Sequence, residues 1–363
     1  MSHEKMLSQK QFFFFIIQAQ IGVGVLSLPH ALNSTAKGGS FISVLIAGLV
    51  TQSIIFFMYF LLKKFPELNL FHILLKLFGP FIGRILIACY IIHFILLGAN
   101  IMLSAVDILS SWILVSTPKW VLMLLFSIMT FYLAKEKLTV LARFFTISSF
   151  LFIPLIIFVT YGLTQAQFEY MLPLFEAGAL NILKGAQDAT VSMYGFEMML
   201  IIFPFINGSN KQKLLSITLA NSFVTLFYTF VVLTCVMVFN SNQLDLIPEP
   251  VIYLMKSLNF YIFDRADIIF LPIWAITIVC STVNYCYASA NGLAIFFNRK
   301  NHEKFTVYVN IFIFTIALIP VTPLAMHQFN LLNIYSTYIF IALIPIALMF
   351  LSLFVKRKAG EPI

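Results

Sequence analysis

The chain has 363 residues, of which 61% are hydrophobic and only 10% charged, with a mean hydropathy of +0.98. Soluble domains carry about 25% charged residues, so this composition excludes a soluble enzyme, a nucleic-acid-binding domain and a disordered chain. The net charge of +8 would suit nucleic acid only as a patch, and the basic residues lie scattered at the ends of apolar runs.

A membrane-spanning helix needs about 20 apolar residues. The first run opens at Phe12 and reaches Leu32, which is too long for the apolar stretch of a signal peptide. Further runs follow at 41–62, 85–107, 119–134, 144–162, 187–206, 214–239, 267–289, 305–324 and 333–355, so ten spans are expected. With the N-terminus in the cytoplasm, only Lys37, Lys119, Lys184, Lys256 and Arg265 of the 22 basic residues fall outside. That asymmetry follows the positive-inside rule and predicts a multi-pass membrane protein with both termini cytoplasmic. The positive charge then reads as topology and contact with anionic lipid. The expected fold class is an all-α polytopic membrane protein, one integral domain over residues 1–363.

Between the spans, 65–79 is expected as a short interfacial helix on the inside. The outer segments 163–186 and 240–266 read either as interfacial packing or as lids over an outward cavity. Cys89, Cys235, Cys280 and Cys286 all lie inside apolar runs, where cysteine behaves as a small hydrophobe. No disulfide framework, metal-ligand spacing or nucleophile–base set appears, so no enzyme, metal or cofactor is expected.

Irregular backbone at membrane depth is tolerated only where it lines a protein-enclosed cavity. Two spans carry such interruptions. The first is Gln18-Ala19-Gln20-Ile21-Gly22-Val23-Gly24-Val25-Leu26-Ser27-Leu28-Pro29 in span 1. The second is Ser192-Met193-Tyr194-Gly195-Phe196-Glu197 in span 6, where an acid sits near the midplane. A charge there costs at least ~2.5–3.5 kcal/mol, which makes Glu197 a functional candidate. Because five is odd, spans 1–5 (residues 12–162) and 6–10 (187–355) would run in opposite directions. Interrupted helices at matching positions of two inverted halves point to a transporter-type binding site. Opened helix N-termini hold anions, and freed carbonyls hold cations. His93 and Asn100 in span 3, with Asn284 and Tyr287 in span 8, read either as pocket lining or as interhelical hydrogen-bond partners. Ser281 and Thr282 are weak candidates for a sodium site.

The Gly22-Val23-Gly24-Val25-Leu26-Ser27-Leu28-Pro29 stretch, together with Tyr194-Gly195-Phe196-Glu197, resembles the amino acid–polyamine–organocation transporter superfamily. More narrowly, the whole chain resembles the B subunit of spore germination receptors. The resemblance implies a LeuT-like fold, with a 5+5 inverted repeat and broken helices 1 and 6. It implies a location in the spore inner membrane beside A and C subunits, and a small nutrient ligand: an amino acid, nucleoside or sugar. Carried over, the ligand carboxylate would meet the amides of Gly22, Val23 and Gly24. Its amine would meet carbonyls near Met193, Tyr194 and Gly195, with Phe196 and the walls of spans 3 and 8 setting selectivity. The alternative is an ion-coupled amino acid permease. No lysine lies between Phe144 and Gly162, where some proton-coupled relatives carry one.

Overall fold

The computed structural model describes residues 6–258 and 265–354. Every named element among them is helical. In chain order these are α1 (Gln9–Gln20), α2 (Gly24–Ala36), α3 (Ser40–Lys64), α4 (Leu70–Trp112), α5 (Lys119–Ala134), α6 (Leu138–Ser148), α7 (Phe152–Gly162) and α8 (Ala179–Ser192). There follow α9 (Met199–Ile202), α10 (Asn210–Val238), α11 (Ser241–Leu246), α12 (Pro250–Ser257), α13 (Asp267–Phe296), α14 (Glu303–Leu318), α15 (Pro323–Thr337) and α16 (Ile344–Phe354). Among the described residues, six helical stretches are long and apolar enough to cross a membrane, and Lys119–Ala134 and Phe196–Phe205 are shorter apolar helices. The chain is a multi-pass, all-helical membrane protein. Its outer surface suits lipid, with Leu49 71%, Ile147 70% and Phe81 77% exposed.

Two expected boundaries shift. The helix leading into the second break starts at Ala179 rather than 187, because Gly178 (φ +79) supplies the turn and Ala179–Ser192 carries its own buried face. Part of the outer segment 163–186 is therefore the start of that helix. Residues 65–79 include a helical stretch set apart from the long span that follows. Asn69 caps Leu70–Phe78, and Gly79 (φ +74) with Pro80 kinks the helix before it continues to Trp112. In the outer segment 240–266 the structure supplies α11 and α12. The expected pattern beyond Leu258, with Tyr261, Phe263 and Asp264, lies outside the described residues, as do Lys5 and Lys356–Lys358.

The interior is built around α1, α8, α9 and α13. Helix α13 lies along α4 over most of its length, while α1 packs on α10, α6 and α13. Ahead of α1, Leu7 pairs with the stretch after the second break: its N–H donates to Phe205 O (2.8 Å), and Asn207 N–H donates to Leu7 O (2.9 Å). Gln9 reinforces this clasp by donating to Asn207 O and accepting from Ser216 Oγ at 2.7 Å. Capping boxes at Ser8–Gln11 and Ser209–Gln212 fix the two helix starts that flank it. Each such cap is worth about 1 kcal/mol. Lys213, buried beside them, donates to Phe203 O at 3.0 Å and sits over its ring.

Candidate ligand site at the paired helix breaks

Both interruptions occur where the glycines place them. Helix α1 ends at Gln20, residues 21–23 leave the helix, and α2 restarts at Gly24 with no side chain capping its N-terminus. Helix α8 ends at Ser192, and Gly195 takes φ +126 before Phe196–Met198 resumes as a tight turn. The breaks lie directly against each other. A Cβ on Gly195 would stand 2.2 Å from Ala19 O, so only glycine fits on both conformational and steric grounds.

Side chains stitch the two breaks together. Gln20 Nε2 donates to Met193 O at 2.9 Å and lies 3.4 Å from Asn221 Oδ1. Tyr228 Oη on α10 donates toward Gln20 O (3.1 Å) and Ser192 O (3.3 Å), and Gly22 N–H points at it from 3.4 Å. Glu197 turns back on its own break. Its Oε2 accepts from Gly195 N–H and its Oε1 from Tyr285 Oη on α13, both at 2.7 Å. The carboxyl is 1% exposed and receives two donors, which is what a buried acid requires. Glu197 therefore ties span 6 to span 8 and positions the break.

Not every expected residue converges. Gly22, Val23, Met193, Tyr194, Gly195 and Phe196 sit at the breaks, but the Met193 carbonyl already accepts from Gln20. Gly24 serves close packing: a Cβ there would come within 2.9 Å of Ser192 Cβ, whereas one on Gly22 meets only Ser281 Oγ at 4.0 Å. Tyr287 turns away to the ring of His302, 4.7 Å between centroids. His93 is held by Ser336 Oγ (3.1 Å) and stacked on Phe340. Asn100 Oδ1 and both amide atoms of the buried Asn284 have no hydrogen-bond partner among the described residues. Such groups call for a donor or acceptor from outside the chain.

The cation candidates separate as well. Ser281 Oγ lies 3.1 Å from Gln18 O, 3.4 Å from Ile21 O and 3.3 Å from Thr277 O, a cluster of oxygens suited to a hard cation. Thr282 only bonds back to Ile278 O on its own helix. Sequence reasoning missed Tyr285 and Tyr228. Their only signal was a phenol within a span, beside Asn284 and Tyr287 in the case of Tyr285, which is also how a packing tyrosine reads.

A cavity of about 170 Å³ opens beside the first break, lined by Val23 of the break, Ser27 of α2, Ser104 and Asp107 of α4, Glu249 and Asn330. A second, apolar gap beside Ile21 and Val25 measures only about 10 Å³. The larger cavity and the clasp at Leu7 lie on opposite sides of the first break along the chain.

Comparison with known proteins places this architecture. Residues 6–326 match the model of the family described as spore germination protein. The chain is 25% identical over 339 residues to the spore germination protein GerQB of Bacillus cereus, covering 92% of this chain and 91% of that one. It is 24% identical over 304 residues to the spore germination protein YndE of Bacillus subtilis (strain 168), covering 81% and 82%. Among solved structures, a sodium-coupled sialic acid symporter in a substrate-bound outward-open state superposes with a TM-score of 0.70 at 12% identity, covering 96% of this chain and 79% of that one. That last likeness concerns the fold.

Proposed function

Because the chain belongs to the spore germination protein family, we propose that it is the nutrient-sensing, permease-like subunit of a germination receptor. In this reading it spans the spore inner membrane ten times in a 5+5 inverted repeat, residues 12–162 and 187–355, with both termini cytoplasmic. It works beside A and C subunits. A small nutrient, an amino acid before a nucleoside or sugar, settles at the outer face of the paired breaks.

The observation that carries this reading is the direct apposition of the two breaks, with Gly195 fitted against Ala19 O and the α2 N-terminus uncapped. An uncapped helix start offers amides and positive potential to a carboxylate. Asn100 and Asn284 offer unpaired polar atoms to the rest of the ligand. A ligand that favours one arrangement of the breaks shifts an existing equilibrium, and partner subunits register that shift. Glu197 acts as a positioning residue, since its bonds to Gly195 and Tyr285 set the arrangement that the ligand meets.

The ion-coupled permease remains as a second reading, supported by the Ser281 oxygen cluster. The test is a strain whose spores carry Glu197→Gln. Normal abundance with a blunted response to the nutrient fits the proposal. An unchanged response at unchanged nutrient concentration contradicts a role for Glu197 in the site.

A further inference from the structure

Helix α8, which leads into the second break, buries only one of its faces, and that face rests on α2 and α3. The opposite stripe, spaced at three and four residues, carries Leu180, Leu183, Lys184, Gln187 and Asp188, all exposed. Helix α15 rests on α4 and also buries little of its surface, with Leu331, Leu332 and Tyr335 exposed. Helices α8 and α15 do not pack on each other among the described residues. They approach at one level, where the Tyr338 phenol takes a hydrogen bond from Gln187 and lies near Asp188 and Tyr335. Tyr338 also lies near Tyr194 of the second break. A groove therefore runs between α8 and α15, with leucines along both sides and polar side chains where the two helices come together.

Depth decides what this groove can meet. Asp188 stands about 6 Å before Ser192 and the break, whereas the hydrocarbon extends about 15 Å to either side of the midplane. With the breaks at the midplane, Asp188 sits where an acid requires a protein partner or water. Lys184, one turn away on the same stripe, makes no ion pair with it, and no other cation pairs with it among the described residues. The leucines that flank it, Leu180 at 68% and Leu332 at 53% exposed, do not suit a water-filled entrance. A second copy of the chain, related by a two-fold axis, would set Asp188 against Asp188. The occupant that answers both the acid and the leucines is an apolar helix with one positive charge.

We propose that this groove seats a transmembrane helix of a partner subunit that carries a lysine or arginine at the level of Asp188. The ion pair satisfies both charges, Gln187 and the Tyr335 hydroxyl offer further hydrogen bonds, and the leucines pack on the apolar flanks of the seated helix. This rests on the receptor-subunit reading above and deepens it. Because Tyr338 lies near both Asp188 and Tyr194, a helix seated on Asp188 is one side chain away from the second break. A rearrangement of that break then reaches the partner directly through the membrane interior.

The test uses the full-length chain in phosphatidylcholine vesicles, with energy transfer to synthetic transmembrane helices of leucine and alanine. These differ only at one position about 6 Å from the centre, which holds lysine, leucine or glutamate. The lysine helix should associate about tenfold more tightly than the leucine helix, and Asp188→Asn should abolish that preference. Asp188→Lys should move the preference to the glutamate helix, a gain that a misfolded chain cannot show. Four results overturn the proposal. They are no preference for the lysine helix, a preference that persists in Asp188→Asn, and displacement of the lysine helix by a second copy of the chain. The fourth is rapid labelling of Asp188→Cys, beyond that of the unsubstituted chain, by a membrane-impermeant thiol reagent, which would make the groove a water-filled entrance. Association is read without nutrient, so such a failure leaves the sensing reading to stand or fall separately, on whether spores lacking the chain still germinate.

Discussion

At the scale of single residues, Gly195 and Glu197 make the clearest demands. Any side chain at Gly195 meets Ala19 O at 2.2 Å and must also take φ +126. The backbone conformation alone costs about 1–3 kcal/mol, so Gly195→Ala should reduce the amount of folded protein recovered from membranes. Tyr285→Phe strips Glu197 of one of its two donors and should lower the unfolding midpoint by the equivalent of about 1–3 kcal/mol, measured by thermal unfolding in detergent. At Gly24 the obstacle is Ser192, so Gly24→Ala should destabilise by about 1–3 kcal/mol. Adding Ser192→Gly should recover part of that loss. Failure of the double variant to recover anything would contradict the packing role.

At the scale of elements, the structure has an asymmetry that explains which features the sequence discloses. Breaks were legible because glycine beside polar residues is conspicuous inside an apolar run, as in Gly22–Gly24 and Gly195 beside Glu197. The long apolar helices were legible from their length. What holds the breaks together was not, because Tyr228, Tyr285 and Gln20 act across 36 to 208 positions of chain, and no local pattern marks such a pairing. The early start of α8 at Ala179 was hidden for a related reason. The stretch Ala179–Gly185 is interrupted by Asn181 and Lys184, and reads as a loop until its face against α3 and α2 is known. Asp107 stood at the end of a run and Glu249 in the segment between two runs, where charged residues ordinarily lie. The inner clasp was equally invisible, since Leu7 and Gln9 precede the first span. Its hydrogen bonds are worth about 1 kcal/mol each, so Gln9→Ala should raise amide exchange at Leu7 and Asn207 by about fivefold. Unchanged exchange there would show that the side chain adds nothing to the clasp.

At the scale of the whole molecule, the clasp joins the segment before α1 to the segment after the second break, so the two interrupted spans are linked at one end as well as at their breaks. On the reading proposed above, a ligand contacts the same two spans at their breaks, and its occupancy can bias the clasped ends, whether the output is a signal to partner subunits or passage of the ligand. The family assigns the chain to spore germination, and the sensing reading takes the signal as the output. The most direct measurement compares spores with and without this chain for germination on individual nutrients, alongside uptake of the same nutrients by growing cells. The account predicts loss of response to a particular nutrient with uptake unchanged. Normal germination with defective uptake would contradict it and make the chain a permease.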